Sequence, residues 1–385
     1  MYDFGAKHIF SAILSAMKDA SGEFVLNLDR RSNPKRAGEL TEEQIVQKFS
    51  NGLKKRFVSS TAAVGILYPN AYHIKVAVRD GKAFWLSSGN WQNSNQPDEV
   101  ASELDESELR KLFSGRNREW HVICDHADLA ATFEGFIKFD VAEATRVGAD
   151  RAPTPPQLPE LVVPQQADDE AARAALRPVK VFPAKSFKLT DKHKVQPLLT
   201  PDNYGANVVP LIQSAKKRLW FQNQYIKIPK VFPDGDGKPG LKELAEAIRG
   251  RVEAGVDVRI ILRNEGDTRA MLQALKVFGI PDKCIRMLGG CHNKGIIVDN
   301  AACVVSSQNY SADGVRFNRD AGLIIRNPDV VGYYADIFLH DWDNRATQRI
   351  IGERAGEMPM VPQVAARAAT RAAARTISWE EFYGD

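Results

Sequence analysis

Two stretches of this 385-residue chain carry the same reactive residue types in the same register. His73, Lys75, Asp80, Ser88 and Asn90 recur as His292, Lys294, Asp299, Ser307 and Asn309; 292 − 73, 294 − 75, 299 − 80, 307 − 88 and 309 − 90 all give 219. Lys, Ser and the Asn amide bring hydrogen-bond donors without a fixed negative charge, so each set describes a pocket for an anion. A His in each set suits that anion to phosphate. With an unperturbed pKa near about 6.5, one imidazole can attack while the other, protonated, supplies a proton to the leaving oxygen. The second His would then activate water against the phosphohistidine. Lys and Asn from both sets would stabilise charge on the equatorial oxygens, so this chemistry calls for no metal and no cofactor.

A second repeat follows the first. Asn117-Arg118-Glu119 matches Asn318-Arg319-Asp320, and Asp140 matches Asp341; here 318 − 117 and 341 − 140 both give 201. The first half therefore holds extra residues, 219 − 201 = 18, within the polar stretch Gln92–Gly115. Glu119 and Asp320 are the acids suited to hold an imidazole tautomer, as the acid of a catalytic triad does. Asp80 and Asp299 stand an odd number of positions from their His. On a regular strand they point to the opposite face, and they read as turn and framework groups.

The elements that must carry these residues can be read from the same stretches. Val76, Val78, Phe84, Trp85 and Leu86 favour strand, and Asp80-Gly81-Lys82 favours a tight turn. Two-residue loops at Gly81-Lys82 and Asn300-Ala301 would place Lys75 opposite Ser88 and His73 opposite Asn90. They would likewise place Lys294 opposite Ser307 and His292 opposite Asn309, giving one polar quartet per hairpin face. Apolar spacing predicts a helix over 9–17, a strand from Phe24 to Leu28 and a helix over Thr41–Phe49 with Thr41 as N-cap. The second half repeats the order: helix Leu241–Ala254, strand Val256–Leu262, helix Thr268–Phe278, then the hairpin. It also begins with a helix-like Val208–Lys217 and a strand-like Arg218–Ile228 that have no counterpart before Ile9. The fold class is α/β, a mixed sheet built twice.

Composition is that of an ordinary globular protein, with 44% apolar and 26% charged residues. The net charge of +4 favours anionic partners only weakly and does not by itself indicate nucleic-acid binding. Cys124, Cys284, Cys291 and Cys303 contain no CxxC pair, which argues against a disulfide framework or a zinc site. No apolar run reaches the ~18 residues of a membrane span. Met1-Tyr2-Asp3-Phe4 lacks the character of a signal peptide. A cytoplasmic or peripheral-membrane protein is expected, or a secreted or periplasmic one if the N-terminus is truncated. Arg151–Pro183 is rich in Pro, Gln and Ala and reads as a linker, and Val364–Arg375 as an exposed Ala/Arg-rich helix.

The pattern His-x-Lys-x4-Asp followed by a small residue, Ser, any residue and Asn, present twice, resembles the phospholipase D superfamily. Ser87 and Ser306 stand where that family usually has Gly. The resemblance implies two similar α-β-α sandwich halves related by a pseudo-twofold axis, with one active site between them; the first half departs from that pattern in lacking its initial strand–helix unit. The expected division is an N-terminal half at 1–145, a linker at 146–199, a C-terminal half at 200–350 and a tail at 351–385. It further implies a phosphohistidine intermediate without metal and catalytic roles for His73, Lys75, Asn90, His292, Lys294 and Asn309. Glu119 and Asp320 would orient the two His, with Asp80, Ser88, Asp299 and Ser307 in support.

Trp220 to Ile226 resembles a strand of phospholipase-type members, and Trp91 and Tyr310 follow the active-site Asn, where they could line a headgroup pocket. The expected function is a metal-independent phosphodiesterase that hydrolyses or transfers phospholipid headgroups. The expected partner is phospholipid, met by transient contact with a membrane surface, and the chain is expected to be a monomer. The alternatives are a nuclease of the same superfamily acting on DNA or RNA, and a cardiolipin synthase-type phosphatidyl transferase.

Overall fold

A computed structural model of the chain describes residues 1–29, 37–149, 180–190, 192–229, 232, 237–264 and 268–348. The first-half elements are α1 (Lys7–Asp19), β1 (Phe24–Leu28), α2 (Glu42–Leu53), β2 (Phe57–Thr61), β3 (Val76–Arg79), β4 (Ala83–Ser87), α3 (Glu106–Gly115), β5 (His121–Asp125) and α4 (Ala127–Arg146). The second half runs β6 (Lys194–Thr200), α5 (Tyr204–Gln213), β7 (Arg218–Asn223), α6 (Leu241–Glu253), β8 (Asp257–Arg263), α7 (Thr268–Phe278), β9 (Ile285–Leu288), β10 (Lys294–Val298), β11 (Ala302–Ser306), α8 (Ala312–Arg316), β12 (Asp320–Arg326) and α9 (Pro328–His340).

Local chemistry sets the boundaries. Thr41 caps α2 through a reciprocal box: its hydroxyl accepts from Gln44 N–H at 3.2 Å and Gln44 Oε1 accepts from Thr41 N–H at 3.0 Å. Asn327 caps α9, with Pro328 in the first turn, where its missing N–H costs nothing. The Ala/Arg-rich tail and residues 151–179 of the expected linker lie outside the described residues.

The second half builds a seven-stranded sheet in the order β6-β12-β11-β10-β7-β8-β9. β7 holds it together, pairing antiparallel with β10 on one side and parallel with β8 on the other. The first half has counterparts of β12, β11 and β10 in its β5-β4-β3 sheet, and of β8 and β9 in its β1-β2 pair. No counterpart of β7 joins them among the described residues, so the first-half sheet is split in two. Lys194–Thr200, expected as the end of the linker, is instead the edge strand β6, paired along its length with β12. Val195 and Leu199 give it one apolar face against the shared core, and Pro197 is tolerated at a sheet edge.

The halves share a core. Tyr72, Ile74, Phe84 and Trp120 from the first pack in one cluster with Leu199, Trp220, Val305, Leu323 and Phe338 from the second. Two buried arginine forks lock this arrangement in matching positions. Arg118 donates to both oxygens of Asp341 at 2.9 and 3.0 Å. Arg319 donates to both oxygens of Asp140 at 2.9 and 2.6 Å. Asp140 also accepts from the hydroxyls of Tyr68 and Tyr72 at 2.7 and 3.1 Å. Planar guanidinium forks of this kind fix orientation as well as distance.

Removing one charge leaves the other buried and uncompensated. Arg319→Met is expected to destabilise the protein by about 3–5 kcal/mol, read from the urea midpoint. The double variant Arg319→Met/Asp140→Leu should recover most of the loss. A single variant as stable as the parent would show that the fork is not fastening the halves.

Candidate active site

Both hairpins turn through three residues, not two. Val76 pairs with Leu86 and Arg79 with Ala83, while Gly295 pairs with Val305 and Val298 with Ala302. Asp80 at φ 56°, Gly81 at φ 61° and Asp299 at φ 52° take the left-handed conformation that a longer turn admits. The expected register is therefore shifted by one residue. Lys75 lies opposite Ser87, whose N–H donates to Lys75 O at 3.1 Å. Lys294 lies opposite Ser306, whose hydroxyl donates to Lys294 O at 2.9 Å. The strands end at Ser87 and Ser306, and 88–90 and 307–309 bend out of the pleat.

This bend gives Ser88 and Ser307 a different task from the expected one. Instead of facing their Lys across a hairpin, they hold the repeated acids. Ser88 Oγ donates to Glu119 Oε2 at 2.5 Å, and Ser307 Oγ donates to Asp320 Oδ1 at 2.6 Å. Gly89 permits the approach, since a Cβ there would stand 2.6 Å from Glu119 Cδ.

The acids cross between the halves. Glu119 Oε1 lies 2.6 Å from Nδ1 of His292, and Asp320 Oδ1 lies 2.7 Å from Nδ1 of His73. The backbone enforces the exchange through matched contacts: His73 N–H donates to Arg319 O at 2.7 Å and His292 N–H to Arg118 O at 3.1 Å. Arg319 N–H donates in turn to Ala71 O at 2.9 Å, and Arg118 N–H to Gly290 O at 2.7 Å. Each imidazole thus has Nδ1 occupied by a carboxylate, which leaves Nε2 as the nitrogen for chemistry.

Each Lys folds back on its own His, Lys75 Nζ donating to His73 O at 2.7 Å and Lys294 Nζ to His292 O at 2.6 Å. Lys294 Nζ also stands 3.1 Å from both ring nitrogens of His292. Asn90 and Asn309 are buried, and the Oδ1 atom of each has no partner among the described residues.

Asp80 and Asp299 stand apart from this constellation. Asp299 caps the entry to β7, its carboxylate accepting from the N–H groups of Lys216, Lys217 and Arg218 at 3.0, 2.8 and 2.9 Å. Asp80 has no equivalent bonds, because the first half lacks that strand among the described residues. Trp91 packs on Phe4 and Trp85, and Tyr310 packs on Phe221. Tyr310 is buried, and Trp91 is half-buried.

Sequence repetition could not reveal three further residues. Asn95, in the first-half insert, donates to Glu119 Oε1. Gln224 Oε1 accepts from Lys294 Nζ at 3.4 Å. The ring of Tyr2 meets that of His73 edge-on at 4.8 Å. Asn95 and Tyr2 carry no repeat signal, and Gln224 directly follows β7, the strand that has no counterpart among the described residues of the first half.

Burial governs the charges. It drives the His73 pKa down to about 4, helped by Lys75 and opposed by Asp320. His292 falls to about 3 by burial, against the pull of Glu119 and with Lys294 adding to the fall. Burial alone would raise Glu119, but His292, Lys294 and Ser88 outweigh it and hold the carboxyl at about 2. Burial lowers Lys294 to about 8, with Glu119 and Asp320 opposing. The empty site therefore holds neutral imidazoles, with the Glu119 carboxylate ionised and the Lys294 ammonium beside His292 to meet an anion. Among the described residues no group of three or more His, Cys, Asp or Glu could hold a metal ion.

Residues 208–342 match the family described as "Cardiolipin synthase, PLD-like domain". No curated protein sequence matches the chain significantly. Among solved structures, phosphatidylserine synthase of Haemophilus influenzae Rd KW20 is similar at 13% identity, covering 89% of this chain and 79% of its own, with a TM-score of 0.51. Nuc from Salmonella typhimurium, a phospholipase D family member, is similar at 24% identity over 41% of this chain and 99% of its own, with a TM-score of 0.33. Polyphosphate kinase from Porphyromonas gingivalis is similar at 13% identity over 94% of this chain and 49% of its own, with a TM-score of 0.48. No described helix is long and apolar enough to cross a membrane.

The lowered imidazole pKa values make the fold acid-sensitive. Relative to the unfolded value near about 6.5, the native state binds fewer protons, so stability is complete above that pH and falls as pH drops toward 4 and 3. Urea melts at pH 7 and pH 5 should show a marked loss in the parent chain and a smaller one in His73→Gln/His292→Gln. Equal losses in both would place the acid sensitivity elsewhere.

Proposed function

We propose that the chain is a member of the phospholipase D superfamily, whose members are phosphodiesterases or phosphotransferases, and that it cleaves the phosphodiester of phospholipid headgroups, passing the phosphatidyl group to water or to another alcohol. The observation that carries this reading is the crossed pair of carboxylate–imidazole contacts, Asp320 to His73 and Glu119 to His292. Each dyad presents an Nε2 whose tautomer is fixed from the opposite half.

In the first step Nε2 of one His attacks phosphorus and the bond to the headgroup oxygen breaks. The departing electron pair takes a proton from Nε2 of the other His. The phosphorylated imidazole keeps its Nδ1 proton against its carboxylate, which offsets the positive charge that develops on the ring. In the second step the now neutral His removes a proton from water or an alcohol. That oxygen attacks phosphorus, and the first His leaves as neutral imidazole. Lys75, Lys294, Asn90 and Asn309 would supply donors to the non-bridging oxygens in both steps.

Both imidazoles are neutral in the empty site, so the acid must gain its proton when the substrate binds. A phosphodiester anion favours that protonation by its own charge.

The lipid reading draws on the domain description matched by residues 208–342, and on the presence of both motifs in one chain. The strand Trp220 to Ile226 supports it less than its sequence promised. Gln222 donates to Asp341 at 2.8 Å and serves the frame, while Gln224 accepts from Lys294 at 3.4 Å.

Choline release from phosphatidylcholine vesicles in EDTA tests the proposal. Activity is expected in the parent chain, with His73→Ala and His292→Ala each lower by about 10³-fold or more. Full activity in either variant would remove the two-His mechanism. Cleavage of single-stranded DNA with no release from lipid would replace the substrate by nucleic acid.

A further inference from the structure

Two imidazoles that share a phosphate cannot be equivalent, because one must hold a proton while the other offers a lone pair. Duplication supplies matching residues on both sides and so cannot by itself assign the proton. The asymmetry has to come from residues that are not repeated, and the insert within Gln92–Gly115 supplies one of them.

Asn95 is 4% exposed and sits in a turn fastened by Asn95 N–H to Gln92 O at 3.1 Å and Asn117 N–H to Ser94 O at 2.7 Å. Its side-chain amide donates to Glu119 Oε1, the oxygen that also holds His292. Glu119 therefore accepts from Asn95, Ser88 and His292. Asp320 accepts from Ser307 and His73 through a single oxygen, and its Oδ2 is buried with no donor among the described residues. A carboxylate satisfied by more donors is the weaker base and stabilises an imidazolium less. We propose that Asn95 is a positioning residue that makes the Glu119–His292 dyad the poorer proton acceptor, so that the proton taken up with a phosphate settles on His73.

Charged groups face both rings, and burial is the largest influence on each. His292 faces Glu119 and feels Lys294, at 3.1 Å from its ring, and Arg263. His73 faces Asp320, with Tyr2 against its ring, and feels Lys75 and the more distant Lys294; Lys75 bonds to its backbone carbonyl. Burial draws both rings down, His73 to about 4 and His292 to about 3, in the order that the hydrogen bonds assign. The order rests on the two-His reading given above only for its consequence, since it fixes which imidazole enters turnover as the acid.

The test is a proton–carbon NMR titration of the His Cε1–H signals in the full chain, assigned with His73→Gln and His292→Gln and run with saturating inorganic phosphate. His73 is expected to titrate above His292. In Asn95→Ala the proton affinity of His292 should rise by roughly tenfold, the scale of one lost hydrogen bond to a charged group, with His73 unmoved and Asn95→Gln recovering part of the difference. His292 titrating at or above His73 in the parent chain would overturn the proposal, even if Asn95→Ala failed to fold. Parallel movement of both signals in Asn95→Ala would also overturn it, marking Asn95 as merely structural. The predicted order in a protein that cleaves no phosphodiester would leave this inference standing and remove the enzymatic reading.

Discussion

Two carboxylates that serve the wrong half hold this protein together as a functional unit. Asp320 leaves its own hairpin to meet His73, and Glu119 does the same for His292, at 2.7 and 2.6 Å. Neither half can orient its own imidazole. The backbone bridges at 71–73 with 319 and at 290–292 with 118 hold the exchanged acids at that range. The arginine beside each acid extends the exchange outward, Arg319 into Asp140 and Arg118 into Asp341. Burial that would be costly for an isolated charge is offset here by paired geometry, and the same pairing makes the relative placement of the halves a condition of the site.

The electrostatic consequence is a site in which ionised Glu119 and cationic Lys294 flank imidazoles that carry no charge. Desolvation keeps both imidazoles neutral, while the lysines stay folded over their own backbone carbonyls. Under the proposed mechanism an arriving phosphodiester would bring the negative charge that lets one imidazole protonate, so that binding and activation of the acid would be one event.

Much of this was legible in the residues alone. The registers at 219 and 201 located the His, Lys and Asn residues and the two acids, because selection on two equivalent sites leaves matching polar letters in apolar strands. The caps and apolar spacing placed α1, β1, α6, β8 and α7 within a residue or two, and the start of α2, which runs on past Phe49 to Leu53. The turn length was not legible. A three-residue turn depends on Asp80 and Asp299 adopting positive φ, and in the second half on backbone N–H groups far along the chain that hold Asp299. The resulting one-residue shift changed the partners of Ser88 and Ser307 from lysines to acids. Crossing of the acids between halves was equally hidden, since an offset repeats whether the partner lies in the same half or the other. β6 escaped because Pro197 and the lysines around it resemble a linker until β12 is there to pair with. Asn95 had no signal to offer, being the departure from the repeat.

The central claim is that each acid governs the imidazole of the opposite half, and the Nδ1–H proton resonances of His73 and His292 report it directly. With the resonances assigned by ring labelling, Asp320→Asn should shift or abolish the His73 signal and spare that of His292, and Glu119→Gln should do the reverse. Loss of the His292 signal in Asp320→Asn, with His73 unaffected, would contradict the account and assign each half its own dyad.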